Sequence, residues 1–137
     1  MSGFVLDCSI AAAWYLIDEA TAETDKLLMR TRLEPVVVPQ LWHIELGNVL
    51  LQAERRKRVT AAQVTAALDE AALLPIETDN YMTSFAWKET LTLARAEKLT
   101  AYDATYLELA MRKGAALATR DETLREAAKR NGVAVLP

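Results

Sequence analysis

Residues 4–19 read FVLDCSIAAAWYLIDE, and this stretch sets the frame for the whole chain. Phe4, Val5 and Leu6 are apolar without alternation, the pattern of a strand covered on both faces. Asp7 ends the run, and Ser9 to Ile17 is Ala-rich, with Trp14 and Leu16, and reads as a helix. The same strand-then-helix unit returns along the sequence. Val36 to Val38, bounded by Pro35 and Pro39, precedes QLWHIELGNVLLQAERRK at 40–57, with Pro39 expected at a first helical position. Leu73 to Ile76 is a weaker third strand, interrupted by Pro75 and so demoted towards an edge. Ala115 to Ala118 and Val133 to Leu136 are the fourth and fifth. Further helices are expected over Thr21 to Leu33, over 61–74 after a Thr60 cap, and over Tyr81 to Ala96. Two more cover Ala104 to Arg112, closed by Gly114, and Glu122 to Arg130, closed near Asn131 and Gly132. Strands alternating with helices imply right-handed crossovers. The expected architecture is an α/β fold with three α/β/α layers and a mainly parallel sheet of about five strands.

The chain has 137 residues, 52% hydrophobic and 26% charged, which suits one globular domain over 1–137. Cys8 is the only cysteine, so no internal disulfide can form, in keeping with a reducing cytoplasm. No run approaches the roughly 20 apolar residues that cross a bilayer. The opening MSGFVLD lacks the basic start and long apolar core of a signal peptide, so a cytoplasmic location is expected. Sixteen basic against 19 acidic residues leave a net charge of -3, which argues against simple coating of nucleic acid by a basic surface. A site that gathers carboxylates around a cation inverts that local logic.

The acids fall where such a site would need them. Open parallel sheets bind ligands at the carboxyl ends of their strands. Asp7 follows the first strand, and Asp121 follows the fourth in ALATRDETL. Asp103 opens a helix in LTAYDATYLELA, and Glu45 lies about one and a half turns into the helix after the second strand. Asp7, Asp103 and Asp121 each have a plainer reading as helix N-terminal carboxylates. Glu45 resists it. Its helical neighbours Leu41, Trp42 and Val49 are apolar, so its carboxylate should be paired, protonated or bound to a cation. Asn48 stands one turn on and can face the same place. Gly47 either permits close backbone packing or has no special role. Four carboxylates in one cleft would raise one another's pKa values, and Mg2+ or Mn2+, which takes hard oxygen ligands and retains water, relieves this. Ser9 and Thr119, each two residues from an acid, can hydrogen-bond a carboxylate or a water on the cation, or serve as ordinary caps.

These pieces resemble the PIN domain, and within it the VapC-like toxins of type II toxin–antitoxin pairs. FVLDCSIAAAWYLIDE, VPQLWHIELGNVL, LTAYDATYLELA and ALATRDETL occur in that family's order and span nearly the whole chain. The resemblance implies a Mg2+- or Mn2+-dependent endoribonuclease that hydrolyses RNA phosphodiester bonds with a metal-activated water. It makes Asp7, Glu45, Asp103 and Asp121 the acids that hold the metal and carry catalysis, and Ser9, Asn48 and Thr119 their polar supports. It also implies a homodimer and a cognate VapB-like antitoxin as partner. Cys8 departs from the small residue common at that place.

The run Arg55-Arg56-Lys57-Arg58 closes a helix, where basic residues suit the dipole; its functional reading is contact with RNA phosphate. His43 does not share a helix face with Glu45, which argues against a catalytic role. Trp14, Trp42 and Trp87 read as core or interface. No phosphate loop, zinc-type Cys/His set or GxSxG turn is present. A phosphoacceptor receiver domain would want an acidic pair after the first strand and a lysine after the last. A haloacid-dehalogenase-type phosphatase would want an aspartate at position 9. The remaining alternative is a PIN module that binds RNA or a partner without cleaving.

Overall fold

The structure is a computed structural model and describes residues 3–137. Among these residues five strands form one parallel sheet: β1 (Phe4–Leu6), β2 (Val36–Pro39), β3 (Glu77–Asp79), β4 (Ala116–Ala118) and β5 (Val135–Leu136). Their order is β3-β2-β1-β4-β5, with every pairing parallel, as the alternation of strands and helices leads one to expect. β1 is central and wholly buried, which is why its residues need no polar alternation.

Eight helices among the described residues connect the strands: α1 (Cys8–Tyr15), α2 (Ala22–Arg30), α3 (Leu41–Arg55), α4 (Ala61–Ala72), α5 (Met82–Phe85), α6 (Leu91–Glu97), α7 (Ala101–Lys113) and α8 (Glu122–Arg130). The strand order moves one way from β1 to β3 and the other way to β4 and β5. Right-handed crossovers therefore put α1–α4 on one face of the sheet and α5–α8 on the other. The packing agrees. α1 lies against α2 and α3, whereas α7 lies across β1, β2 and β4 and beside α8. The reversal makes the gap between β1 and β4 the topological switch point, the place where such sheets bind ligands.

Local chemistry explains most helix limits. Thr21 and Thr60 each cap a helix and are bonded back by Thr24 and Gln63. Gly114 ends α7 in the left-handed region at φ 61°. Gly3, at φ 93°, is demanded twice over, because a Cβ there would stand 1.9 Å from the Pro35 carbonyl oxygen. That close approach lets Phe4 N–H donate to Pro35 O at 3.1 Å and sets β1 beside β2.

Several expectations need correction. The third strand is Glu77–Asp79, not Leu73 to Ile76. α4 continues to Ala72, Leu73 and Leu74 close its last turn through bonds to Glu70 O and Ala71 O, and the chain becomes extended only after Pro75. The strand is polar because it is the sheet edge. Pro39 ends β2, paired with Asp79, and does not begin the next helix, which starts at Leu41. The expected helix over 81–96 is broken into α5, a π-helical stretch at Ala86–Thr90, and α6. The fifth strand is shorter, Val135–Leu136, and α7 begins at Ala101, before Asp103. A Cβ at Gly47 would meet nothing within 4 Å, so that glycine serves no close packing. Trp42 is core and Trp14 is half-buried, with its indole N–H bonded to Thr24 O, but Trp87 is 91% exposed.

Candidate active site

Asp7 leaves the carboxyl end of β1, and its backbone N–H donates to Ala118 O at 2.9 Å, extending the β1–β4 ladder by one step. That register sets it beside Thr119. Thr119 Oγ1 donates to Asp7 Oδ2 at 2.6 Å and Ser9 Oγ donates to the same oxygen at 2.7 Å. Asp7 occupies the N-cap position of α1, yet its side chain makes no cap hydrogen bond. Thr119 also accepts from Asp121 N–H at 3.1 Å, and Ser9 Oγ accepts from Arg120 N–H at 2.9 Å. The β4–α8 turn is thus stitched to the start of α1 around one buried carboxylate.

Glu45 projects from α3, half-buried, and accepts a hydrogen bond from the Tyr106 hydroxyl of α7. Asp103 lies in the first turn of α7, but Thr100 is the cap there, its Oγ1 accepting from Asp103 N–H. Thr100 is thus the cap, and its hydroxyl also favours the Asp103 carboxylate, which lines the cleft. For Asp121 capping explains one oxygen, since Oδ1 accepts from Leu124 N–H at 2.9 Å.

All four acids line one cleft of about 380 Å3 at the switch point, together with Cys8, Ser9, Asn48, Val49, Glu19 and Arg120. Three larger hollows elsewhere are lined by other residues and contain none of these acids. The electrostatics match the crowding. Burial pushes the Asp7 carboxyl above its ordinary value against the pull of the Thr119 and Ser9 hydroxyls. Burial also raises Glu45, with the charges of Asp7 and Asp103 adding to it and the Tyr106 hydroxyl opposing. Asp103 is raised by burial and by Asp7 and Asp121. Burial and the neighbouring acids likewise hold Cys8 as a thiol.

The chemistry of the donor set suits a divalent cation. Every acidic donor is a hard carboxylate oxygen; Asp7, Glu45 and Asp103 are penalised by burial, and Glu45 and Asp103 also by repulsion from neighbouring acids, which a cation relieves. Among the described residues no three His, Cys, Asp or Glu side chains close on a single point. The fit is accordingly to a hard ion that retains water ligands, as Mg2+ and Mn2+ do, and not to an all-protein cage.

Three contributors carry no signal in the sequence. Arg120 reaches across the cleft wall, donating through Nε to Ser9 O at 3.0 Å and through Nη2 to Glu19 Oε1 at 2.7 Å. Glu19, which ends the 3-10 turn Ile17–Glu19, also pairs with Arg58 at 2.9 Å, and the two arginines hold its carboxyl below the usual range. Tyr106 is the third. Of the basic run, Arg55, Arg56 and Lys57 are exposed, while Arg58 is bonded to both Asp18 and Glu19. None of the four lines the acidic cleft. His43 is also outside it, bonded to Thr78 Oγ1 at 3.0 Å.

The model of the PIN domain matches residues 4–130 of this chain. The chain belongs to the PIN domain family. PIN domains are in general nucleases and in general use divalent metal ions. Among solved structures, this PIN domain is similar to PAE2754 from Pyrobaculum aerophilum, with 25% identity and a TM-score of 0.72 over 98% of this chain and 92% of that one. It shares its fold with VapBC2 from Rickettsia felis, solved bound to a DNA fragment from their promoter, at 17% identity and a TM-score of 0.67 over 98% and 97% of the two chains. The same holds for FitAcB from Neisseria gonorrhoeae, at 15% identity and a TM-score of 0.67 over 98% and 97%. No curated protein matches the chain. Among the described residues no helix is long and apolar enough to cross a membrane.

Proposed function

We propose that this PIN domain is a Mg2+- or Mn2+-dependent endoribonuclease and the toxin of a VapBC-type pair, acting in the cytoplasm. One observation carries the reading: four carboxylates from separate segments of the chain share one cleft at the switch point, three of them pushed up by burial and two of these, Glu45 and Asp103, also by neighbouring acids. A fold has no reason to collect such a set unless something positive joins it.

Asp7, Glu45, Asp103 and Asp121 would hold the ion, directly or through water. When bound, the ion activates water and stabilises charge on a phosphate oxygen. The chain's own groups do the rest. Thr119 and Ser9 fix Asp7 by two hydrogen bonds to one oxygen. Asn48 stands at the cleft as a neutral hydrogen-bonding group for substrate. Arg120, paired with Glu19, fastens the 3-10 turn to the cleft and keeps Ser9 in place. No side-chain nucleophile is proposed: Cys8 stays protonated among the acids and His43 lies elsewhere. Arg55, Arg56 and Lys57 are proposed to meet RNA phosphates outside the cleft, with Arg58 largely committed to Asp18 and Glu19.

A VapB-like antitoxin and a second copy of the chain are the proposed protein partners. Large apolar side chains left uncovered, such as Ile17 at 95% and Trp87 at 91% exposure, support covered surfaces of this kind. Purified protein with labelled RNA should cleave in Mn2+, stop in excess EDTA and resume when Mn2+ is restored. Binding without cleavage in Mn2+ would instead favour a PIN module that has lost catalysis. Co-purification from the native operon checks the antitoxin.

A further inference from the structure

Tyr106 is fully buried, one turn after Asp103 on the same helix, and its hydroxyl reaches across to Oε1 of Glu45 on α3. A buried phenol requires a partner for its O–H, a requirement a phenylalanine of nearly the same volume would not carry. What the hydroxyl adds at this position is the bond to Glu45. Glu45 has the longest and loosest side chain of the four acids, and this is its only side-chain hydrogen bond among the described residues. Asp7 is held by two hydroxyls and Asp121 by a backbone N–H. α7 thus supplies one acid to the cleft and, a turn later, the group that steadies another.

Resting on the metal-dependent reading above, we infer that Tyr106 is a positioning residue, which holds one oxygen of Glu45 so that the carboxylate meets a divalent cation in a single orientation. It acts through Glu45 alone and touches neither ion nor substrate. Removing a group that orients a metal-binding side chain commonly lowers metal affinity or activity about 10–100-fold.

Mn2+ titration by calorimetry tests this on the full chain, wild type against Tyr106→Phe, with RNA cleavage and thermal melting measured alongside. The variant should keep its fold and bind Mn2+ about 10-fold or more weakly, with kcat reduced by at least as much. A second comparison separates positioning from general support. In a Glu45→Ala background, adding Tyr106→Phe should leave Mn2+ affinity unchanged within about twofold, because the group it acts through is gone. Unchanged Mn2+ affinity in the single variant, an equal loss in both backgrounds, or failure of Tyr106→Phe to fold would each overturn the inference while wild type still binds Mn2+ and cleaves RNA. A wild type that does neither overturns the metal-dependent reading and this inference with it.

Discussion

Thr119 Oγ1 and Asp7 Oδ2 lie 2.6 Å apart, joining two strand ends that are 112 positions distant in sequence. The same hydroxyl accepts from Asp121 N–H, so one threonine contacts two of the four acids proposed to hold the ion. Thr119→Val keeps the shape and removes both bonds inside a fully buried site. A loss of about 1–3 kcal/mol is expected in denaturant unfolding, together with reduced RNA cleavage. Thr119→Ser, which retains the hydroxyl, should recover most of the activity; equal loss in both variants would assign the effect to packing.

The crowded acids set a pH dependence of stability with a definite sign. Asp7, Glu45 and Asp103 are raised in the folded state from ordinary values of 3.8, 4.5 and 3.8. Their contribution is fully present below those ordinary values and is lost as pH rises through the folded ones. Asp79 and Glu19 are lowered, so their contribution is present above 3.8 and 4.5 and is lost only as pH falls further. Metal-free protein should therefore lose stability from this cluster on going from the ordinary carboxylate range, about pH 4.5, to about pH 7.5. Asp7→Asn or added Mg2+ should shrink that difference. Melting in EDTA at both pH values reads it directly.

Asp79 shows that an acid at a strand end need not belong to the cleft. It is buried at the end of β3 and receives two hydrogen bonds from Arg112, at 3.0 and 2.9 Å. Arg112 also binds Glu108 and stacks over Phe85 at 4.3 Å. Arg112→Ala leaves Asp79 buried and unpaired, and should destabilise the fold by about 3–5 kcal/mol. Mn2+ affinity of the fraction that remains folded should match wild type, since neither residue lines the acidic cleft.

The basic run divides in two. Replacing Arg55, Arg56 and Lys57 with alanine should weaken RNA binding and lower the salt slope by about 1 for each phosphate no longer neutralised. Arg58→Ala should instead disturb the Asp18–Glu19 turn, reducing cleavage more than affinity. Binding measured in EDTA over a salt series, beside cleavage in Mn2+, separates the two effects.

What could be read in the sequence follows from what is local. β1, β2 and β4 are buried strands whose apolar runs announce themselves, and the acids after β1 and β4 inherit their position from them. β3 is an edge strand of sequence ETD, with no apolar signal to find, so the pattern settled on the neighbouring Leu73 to Ile76. Glu45 stood out because a carboxylate among apolar helical neighbours demands a partner. Its partner did not, because Tyr106 looks like any core aromatic and is 61 positions away. Arg120 sits between two singled-out residues, yet its bond to Glu19 spans 101 positions and only the fold reveals it. Asp79 and Asp7 look alike as acids closing short strands; burial against Arg112 in one case and an open cleft in the other tell them apart.

The most direct test of the metal-dependent site is cleavage of labelled RNA by wild type and Asp7→Asn, side by side in Mn2+ with the fold of each checked by circular dichroism. Wild type should cleave and stop in EDTA, while Asp7→Asn keeps its fold and loses cleavage by about 100-fold or more, as expected when an ion's anchoring group is removed. Cleavage by Asp7→Asn at the wild-type rate, or by wild type in excess EDTA, would contradict the account.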